Sequence, residues 1–139
     1  MKKSSLIEKV FLQQIKDDCL MCVAEADKQI PFPIKRIYYT VQSTPGLPRG
    51  YHVHKKLEQV FFCIRGSMKM ILDDGFHREE ITLDNPGEGV LLHPMVWHEM
   101  HDIDQDTVML IFASDSYDES DYIREYANFK KSVDKLCNL

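Results

Sequence analysis

The feature that most constrains this chain is a succession of short apolar runs, each closed off by turn residues before a helix of ordinary length could form. The runs fall at residues 10–12, 20–24, 34–42, 60–64, 68–72, 81–83, 89–92 and 108–113. They are rich in Val, Ile, Phe and Tyr, side chains suited to a pleated, half-buried surface. Many short strands at such spacing predict an antiparallel sandwich or barrel. Two tight hairpins are expected. One lies at Gly66, joining 61–65 to 68–72, and the other at Asp73-Asp74-Gly75, where residues that tolerate positive φ cluster.

The end of the chain changes character. Tyr122, Tyr126, Phe129, Val133 and Leu136 recur at steps of four and three, which is helical period. Asp118 suits the start of a helix over about 118–137, and Lys130, Lys131 and Lys135 suit its later turns, where the dipole favours cations. The helix is expected to pack across one sheet. No linker or repeat interrupts the sequence, so one domain over 1–139 is expected. A domain of this size buries roughly 68% of its unfolded surface, enough to hold together without disulfide or metal.

The formal net charge of −5 is spread along the chain, with none of the basic clustering that nucleic acid requires. No apolar run approaches the ~20 residues of a membrane span. The basic start, Met1-Lys2-Lys3-Ser4-Ser5, is followed at once by Glu8, Lys9 and Gln13 rather than by a signal core. A cytoplasmic location with four reduced cysteines is therefore expected. Cys19 and Cys22 have a C-x-x-C spacing, but on a strand over 19–24 they would point to opposite faces and share no metal.

The chemistry concentrates in His52-Val53-His54. On a strand the two imidazoles share a face, about 7 Å apart. Two such rings inside a small sheet structure are costly to bury without a task. The surrounding pattern Gly46-x5-His52-x-His54-x3-Glu58-x7-Gly66 resembles the first cupin motif, with one extra residue before its last glycine. Gly89, Pro94 and His98 fall near positions of the second motif, with a shortened interval and no middle glycine. In metal-binding cupins the corresponding ligands are two His, one Glu and a late His, here His52, His54, Glu58 and His98.

A narrower family is similar over nearly the whole chain. The blocks Ile30-Pro31-Phe32-Pro33-Ile34-Lys35-Arg36-Ile37-Tyr38-Tyr39 and Pro48-Arg49-Gly50-Tyr51-His52-Val53-His54-Lys55-Lys56-Leu57-Glu58-Gln59 carry the resemblance. It continues through Asp73-Asp74-Gly75, Pro94-Met95-Val96-Trp97-His98-Glu99-Met100, Ala113-Ser114-Asp115 and 121–129. These resemble the sugar 3,4-ketoisomerases (WxcM-like, of the FdtA and QdtA type) that act on thymidine-diphosphate-linked 4-keto-6-deoxyglucose. The resemblance implies an all-β, RmlC-like cupin jelly roll with a C-terminal helix, a homodimer, and no metal or cofactor. It also implies a role in making 3-amino-3,6-dideoxyhexoses for surface polysaccharide, an aminotransferase taking the product next. One departure stands out: Asp18-Cys19 replaces the family's usual Arg-Gly or similar pair.

Moving a ketone from C4 to C3 requires a base for the C3 proton, stabilisation of an enediolate, and a proton returned at C4. With this chemistry His52 is the candidate base, and His54 the group that protonates C4 or polarises a sugar oxygen. Tyr38 is expected to orient His52 or bond sugar hydroxyls. Arg49 is a candidate for enediolate or diphosphate, and Arg36 and Lys56 for diphosphate. Trp97 is a candidate to stack on sugar or thymine, and His98 to influence the C4 configuration. Glu58 and Gln59 are candidates to hold the His pair or close a hydrogen-bond network. His77 is expected at the surface and His101, on the strand face opposite His98, is assigned no role; the sequence leaves His93 open. The rival readings are a metal-dependent cupin such as a dioxygenase, a nucleotide-sugar epimerase, and a non-catalytic sugar-binding module.

Overall fold

A computed structural model describes residues 5–138 of the chain. The basic start at residues 1–4 and the final Leu139 lie outside the described residues. Strands are numbered in chain order: β1 (Glu8–Phe11), β2 (Gln13–Lys16), β3 (Leu20–Val23), β4 (Arg36–Val41), β5 (Arg49–His54) and β6 (Gln59–Arg65). They continue as β7 (Met68–Asp73), β8 (Arg78–Leu83), β9 (Glu88–Leu92), β10 (Trp97–His101), β11 (Val108–Ala113) and β12 (Tyr122–Ile123), before helix α1 (Tyr126–Cys137). One sheet runs β1-β9-β6-β11-β4 and the other β12-β5-β10-β7-β8, while β2 and β3 form a separate hairpin. The two larger sheets are antiparallel throughout and make the expected jelly-roll sandwich.

The core between the sheets holds Phe61, Met68, Met70, Leu72, Val90, Leu92, Met109 and Ile111. The outer face of the first sheet is covered by the chain around Ile30 and Phe32, which packs on Val60, Phe62 and Phe112. That double cover explains why β6 is buried at five successive positions, Gln59 to Cys63, instead of alternating. The outer face of the second sheet is covered by α1 through Phe129 and Val133, packed on Val53 and Trp97. No helix among the described residues is long and apolar enough to cross a membrane.

Three expectations need correction. Gly66 does not close a hairpin: β6 is flanked by β9 and β11, so the chain turns at Gly66 and crosses to the other sheet as β7. Gly66 makes that corner at φ +83°, so tight against Thr107 that a Cβ would lie 2.3 Å from its hydroxyl oxygen. The hairpin at Asp74-Gly75 does form, between β7 and β8. Second, the helix begins at Tyr126 rather than at 118. Asp118 caps a short 3₁₀ turn, Glu119–Asp121, and Tyr122 and Ile123 then pair with His54 and Val53. The edge of β5 supplies backbone partners that outweigh the local helical period there. Third, Cys19 lies in the turn before β3, outside the strand that carries Cys22, and neither belongs to a potential metal-ligand cluster among the described residues.

Candidate active site

The site grows out of an irregularity in β5. His98 on β10 lies opposite His52, but the next residue, Glu99, lies opposite Gly50, so Tyr51 is left over as a β-bulge. Gly50 and Tyr51 take φ +91° and +60°. The close approach also favours glycine, because a Cβ at residue 50 would lie 2.9 Å from the His98 carbonyl oxygen. The extra residue resets the alternation of the strand. Arg49, three positions before His52, would otherwise face away from it. With the bulge, Arg49, Gly50 and His52 all line one cavity.

Cross-strand pairing brings His98 to His52, with ring centroids 4.4 Å apart. His54 lies 5.1 Å from His52 and 6.1 Å from His98 by the same measure. Each imidazole has an acceptor at Nδ1. These are the Gly50 carbonyl for His52 (3.1 Å), an Asp121 carboxylate oxygen for His54 (3.2 Å) and the Val96 carbonyl for His98 (3.4 Å). Burial is the main force lowering all three pKa values; it brings His54 to about 4, with His52 adding repulsion and Asp121 opposing both. All three rings are then neutral at neutral pH, with the proton on Nδ1 and a lone pair on Nε2. The result is an array of proton acceptors.

The cavity has a volume of about 340 Å³, within the range of small-molecule sites. Its floor is apolar, with Phe61, Met100, Met109 and Ile111, and its polar wall carries Arg36, Tyr38, Arg49, His52 and His98. The Tyr38 hydroxyl accepts a hydrogen bond from Gln59 Nε2 at 2.7 Å, leaving its own proton free for a ligand. Burial raises its pKa, so it stays a neutral donor, although Arg36 pulls the other way. Arg36 Nε is buried without a partner.

Residues 4–134 match the family FdtA, described as WxcM-like, C-terminal. The chain belongs to this family. It is 56% identical over 112 residues, 81% of either chain, to a TDP-4-oxo-6-deoxy-alpha-D-glucose-3,4-oxoisomerase from Aneurinibacillus thermoaerophilus. It is similar to the crystal structure of the sugar 3,4-ketoisomerase QdtA from Thermoanaerobacterium thermosaccharolyticum in complex with TDP. The TM-score is 0.90 at 37% identity, covering 94% of this chain and 96% of that one. A histidine-to-asparagine mutant of QdtA in complex with TDP-4-keto-6-deoxyglucose aligns with a TM-score of 0.91 at 36% identity, covering 96% and 97%.

Within this FdtA-family site, the expected residues separate by position. Arg36, Tyr38, Arg49, His52 and His98 line the cavity. His54 is one layer deeper, 4.4 Å from the Tyr122 ring, and Gln59 is buried behind Tyr38. Gln59 therefore holds a wall residue in place and does not itself line the cavity. Lys56 is exposed outside it, its backbone N–H donating to Asp121. Trp97 is on the opposite face of β10, where its ring stacks 5.9 Å from Phe129 and its Nε1 donates to Glu99. Strand parity sends Trp97 outward because it sends His98 inward.

The metal-dependent cupin pattern is incomplete here, since the cluster of possible ligands contains His52, His54 and His98 but not Glu58. His77 is exposed beside Asp74, His93 bonds Glu8, and His101 bonds Glu99 outside the cavity. Tyr117, Tyr122 and Arg124 complete the wall and were not expected from sequence. Their segment had the period of a helix, which concealed a strand that brings Tyr122 onto β5. Arg124 lies 4.2 Å over the Tyr122 ring and grips Glu119 at 2.8 and 2.9 Å.

Proposed function

We propose that this chain moves the keto group of a TDP-linked 4-keto-6-deoxyhexose from C4 to C3 through an enediolate. The observation that carries this reading is the wall of the cavity, where neutral imidazoles with bare Nε2 atoms adjoin a tyrosine hydroxyl and arginines. His52 takes the C3 proton, and the bond's electron pair passes into the enediolate. Tyr38, Arg36 and Arg49 are the donors that stabilise its oxygens, and the same residues suit a diphosphate. Return of a proton to C4, with transfer of the oxygen-bound proton from O3 to O4, completes the isomerisation. The activities of the relatives and the TDP-bound structure support the substrate class. The product is the substrate of a 3-aminotransferase, on a route to a surface polysaccharide sugar.

The test is to incubate the protein with TDP-4-keto-6-deoxyglucose and follow the product by NMR, with a 3-aminotransferase to trap it. A carbonyl at C3 is expected. An unmoved carbonyl with an inverted centre beside it would mean an epimerase instead. The chain is read as a single folding unit acting in the cytoplasm as a homodimer. Support for the dimer comes from edge strand β4, whose outer residues Ile37, Tyr39 and Val41 are 58%, 68% and 56% exposed. Light scattering of wild type and Tyr39→Glu checks it, with a loss of dimer expected in the variant.

A further inference from the structure

The three imidazoles of the site share one feature and differ in another. Each has its Nδ1 held by an acceptor, but for His52 and His98 that acceptor is a backbone carbonyl, whereas for His54 it is the carboxylate of Asp121. A carbonyl is enough to choose a tautomer and orient a ring. A carboxylate does that and also stabilises an imidazolium. The chain brings Asp121 in from 67 positions away to do it.

Asp121 is also anchored. Its two carboxylate oxygens accept from the backbone N–H of Lys56 (2.8 Å) and Leu57 (3.3 Å), and its carbonyl accepts from Lys55 N–H (2.9 Å). The next two residues lock into register with β5. Beyond the anchor, His54 Nε2 is buried without a partner. The candidate ligand atoms of His52, His54 and His98 all lie within 4.8 Å of one another.

We propose that Asp121 is a positioning residue for the isomerisation: acting through His54, it fixes the tautomer of the inner imidazole and stabilises the positive charge that enters the cluster when His52 takes a proton from the sugar. The C3–H bond breaks, its electrons remain on the enediolate, and the proton rests on His52 beside the lone pair of His54 until it is returned. The carboxylate behind His54 balances that charge at a ring that is itself buried, 4% exposed. The other groups facing His54 are His52 on β5, His98 on β10, Tyr122 on β12 and Arg36 on β4. Among the charges acting most strongly on His54, Asp121 is the carboxylate and Arg36 the opposing cation.

The test compares Asp121→Asn, which keeps an acceptor oxygen but loses the charge, with wild type, and both with His54→Gln and the double variant. Expected for Asp121→Asn are a kcat lower by roughly 10²-fold, a KM within about twofold, and the acidic limb of the kcat–pH profile moved to lower pH by about one unit. In a His54→Gln background the Asn substitution should cost little more, because its effect passes through that ring. Wild-type turnover in Asp121→Asn, a fall in kcat with no movement of the limb, or full additivity with His54→Gln would each overturn the proposal.

If Asp121→Asn does not fold, ¹⁵N NMR of the wild-type His54 side chain decides the matter. A proton on Nδ1 is expected, and one on Nε2 overturns the proposal. The turnover arm rests on the ketoisomerase reading, whereas the NMR arm does not. An inactive wild type with the expected His54 tautomer would defeat that reading and leave the pairing intact.

Discussion

The two faces of the sheet containing β5 and β10 are built from alternate residues of the same strands, yet they treat polar atoms in opposite ways. On the outer face, beneath α1, polar groups are matched with partners. Glu99 accepts from Trp97 Nε1 (2.7 Å), His101 (2.8 Å) and Arg78 (3.4 Å), and Asp73 accepts from Arg78 (3.2 Å) and Tyr126 (3.0 Å). On the inner face His54 Nε2 is buried without a partner, and across from it, on the facing sheet, so are Arg36 Nε and Gln59 Oε1. A buried polar atom left unpaired is destabilising, and native proteins keep few of them. Satisfied groups hold a fold together, while unsatisfied ones mark where a ligand completes the structure. The outer network is thus read as stabilising and the inner array as chemical, and each reading can be broken separately.

The largest effect should come from His52→Asn. Turnover of the nucleotide sugar is expected to fall by roughly 10²–10⁴-fold, with a melting temperature no lower than wild type, because the half-buried ring removed lines the cavity and its pKa is lowered by desolvation. Calorimetry alongside the NMR assay checks both, and a variant that melts early but still turns over would reverse the assignment of the two faces. Tyr38→Phe should cost roughly 10²-fold in kcat if its hydroxyl is a donor to the enediolate. Since the partner of Gln59 Nε2 disappears with the hydroxyl, a modest loss of stability is expected too.

Glu99→Ala tests the outer face. Three donors lose their acceptor, so urea denaturation should show a loss of about 1–3 kcal/mol, while kcat per folded molecule stays near wild type. A large fall in kcat at unchanged stability would mean that the two faces are coupled through the bulge. The smallest effect is on pH dependence. The cavity imidazoles have folded pKa values below their unfolded ones, that of His54 reaching about 4. Protons therefore bind more readily to the unfolded chain, and the stability present above about pH 6.5 is lost as the pH falls towards 4. Melting temperatures measured across that range should drop on acidification, and His54→Gln should flatten the slope.

Much of this was legible in the sequence, in the parts where neighbours along the chain decide the outcome. The apolar runs and the Asp74-Gly75 turn depend on local backbone preference, as does the pairing of Phe129 with Val133 on one helix face. The proximity of His52 and His54 depends only on the two-residue period of a strand. Tertiary structure decided what depends on register and on which edge was free. The bulge at Tyr51 shows itself only against β10, and it determines that Arg49 faces the cavity. The free edge of β5 captured Tyr122 and Ile123 from a helical pattern and so delivered Asp121 to His54. Strand parity relative to the core sent Trp97 under the helix and His98 inward. Local period is written in each segment, whereas register and edge are properties of pairs of segments, and distant residues become neighbours only once both partners are in place.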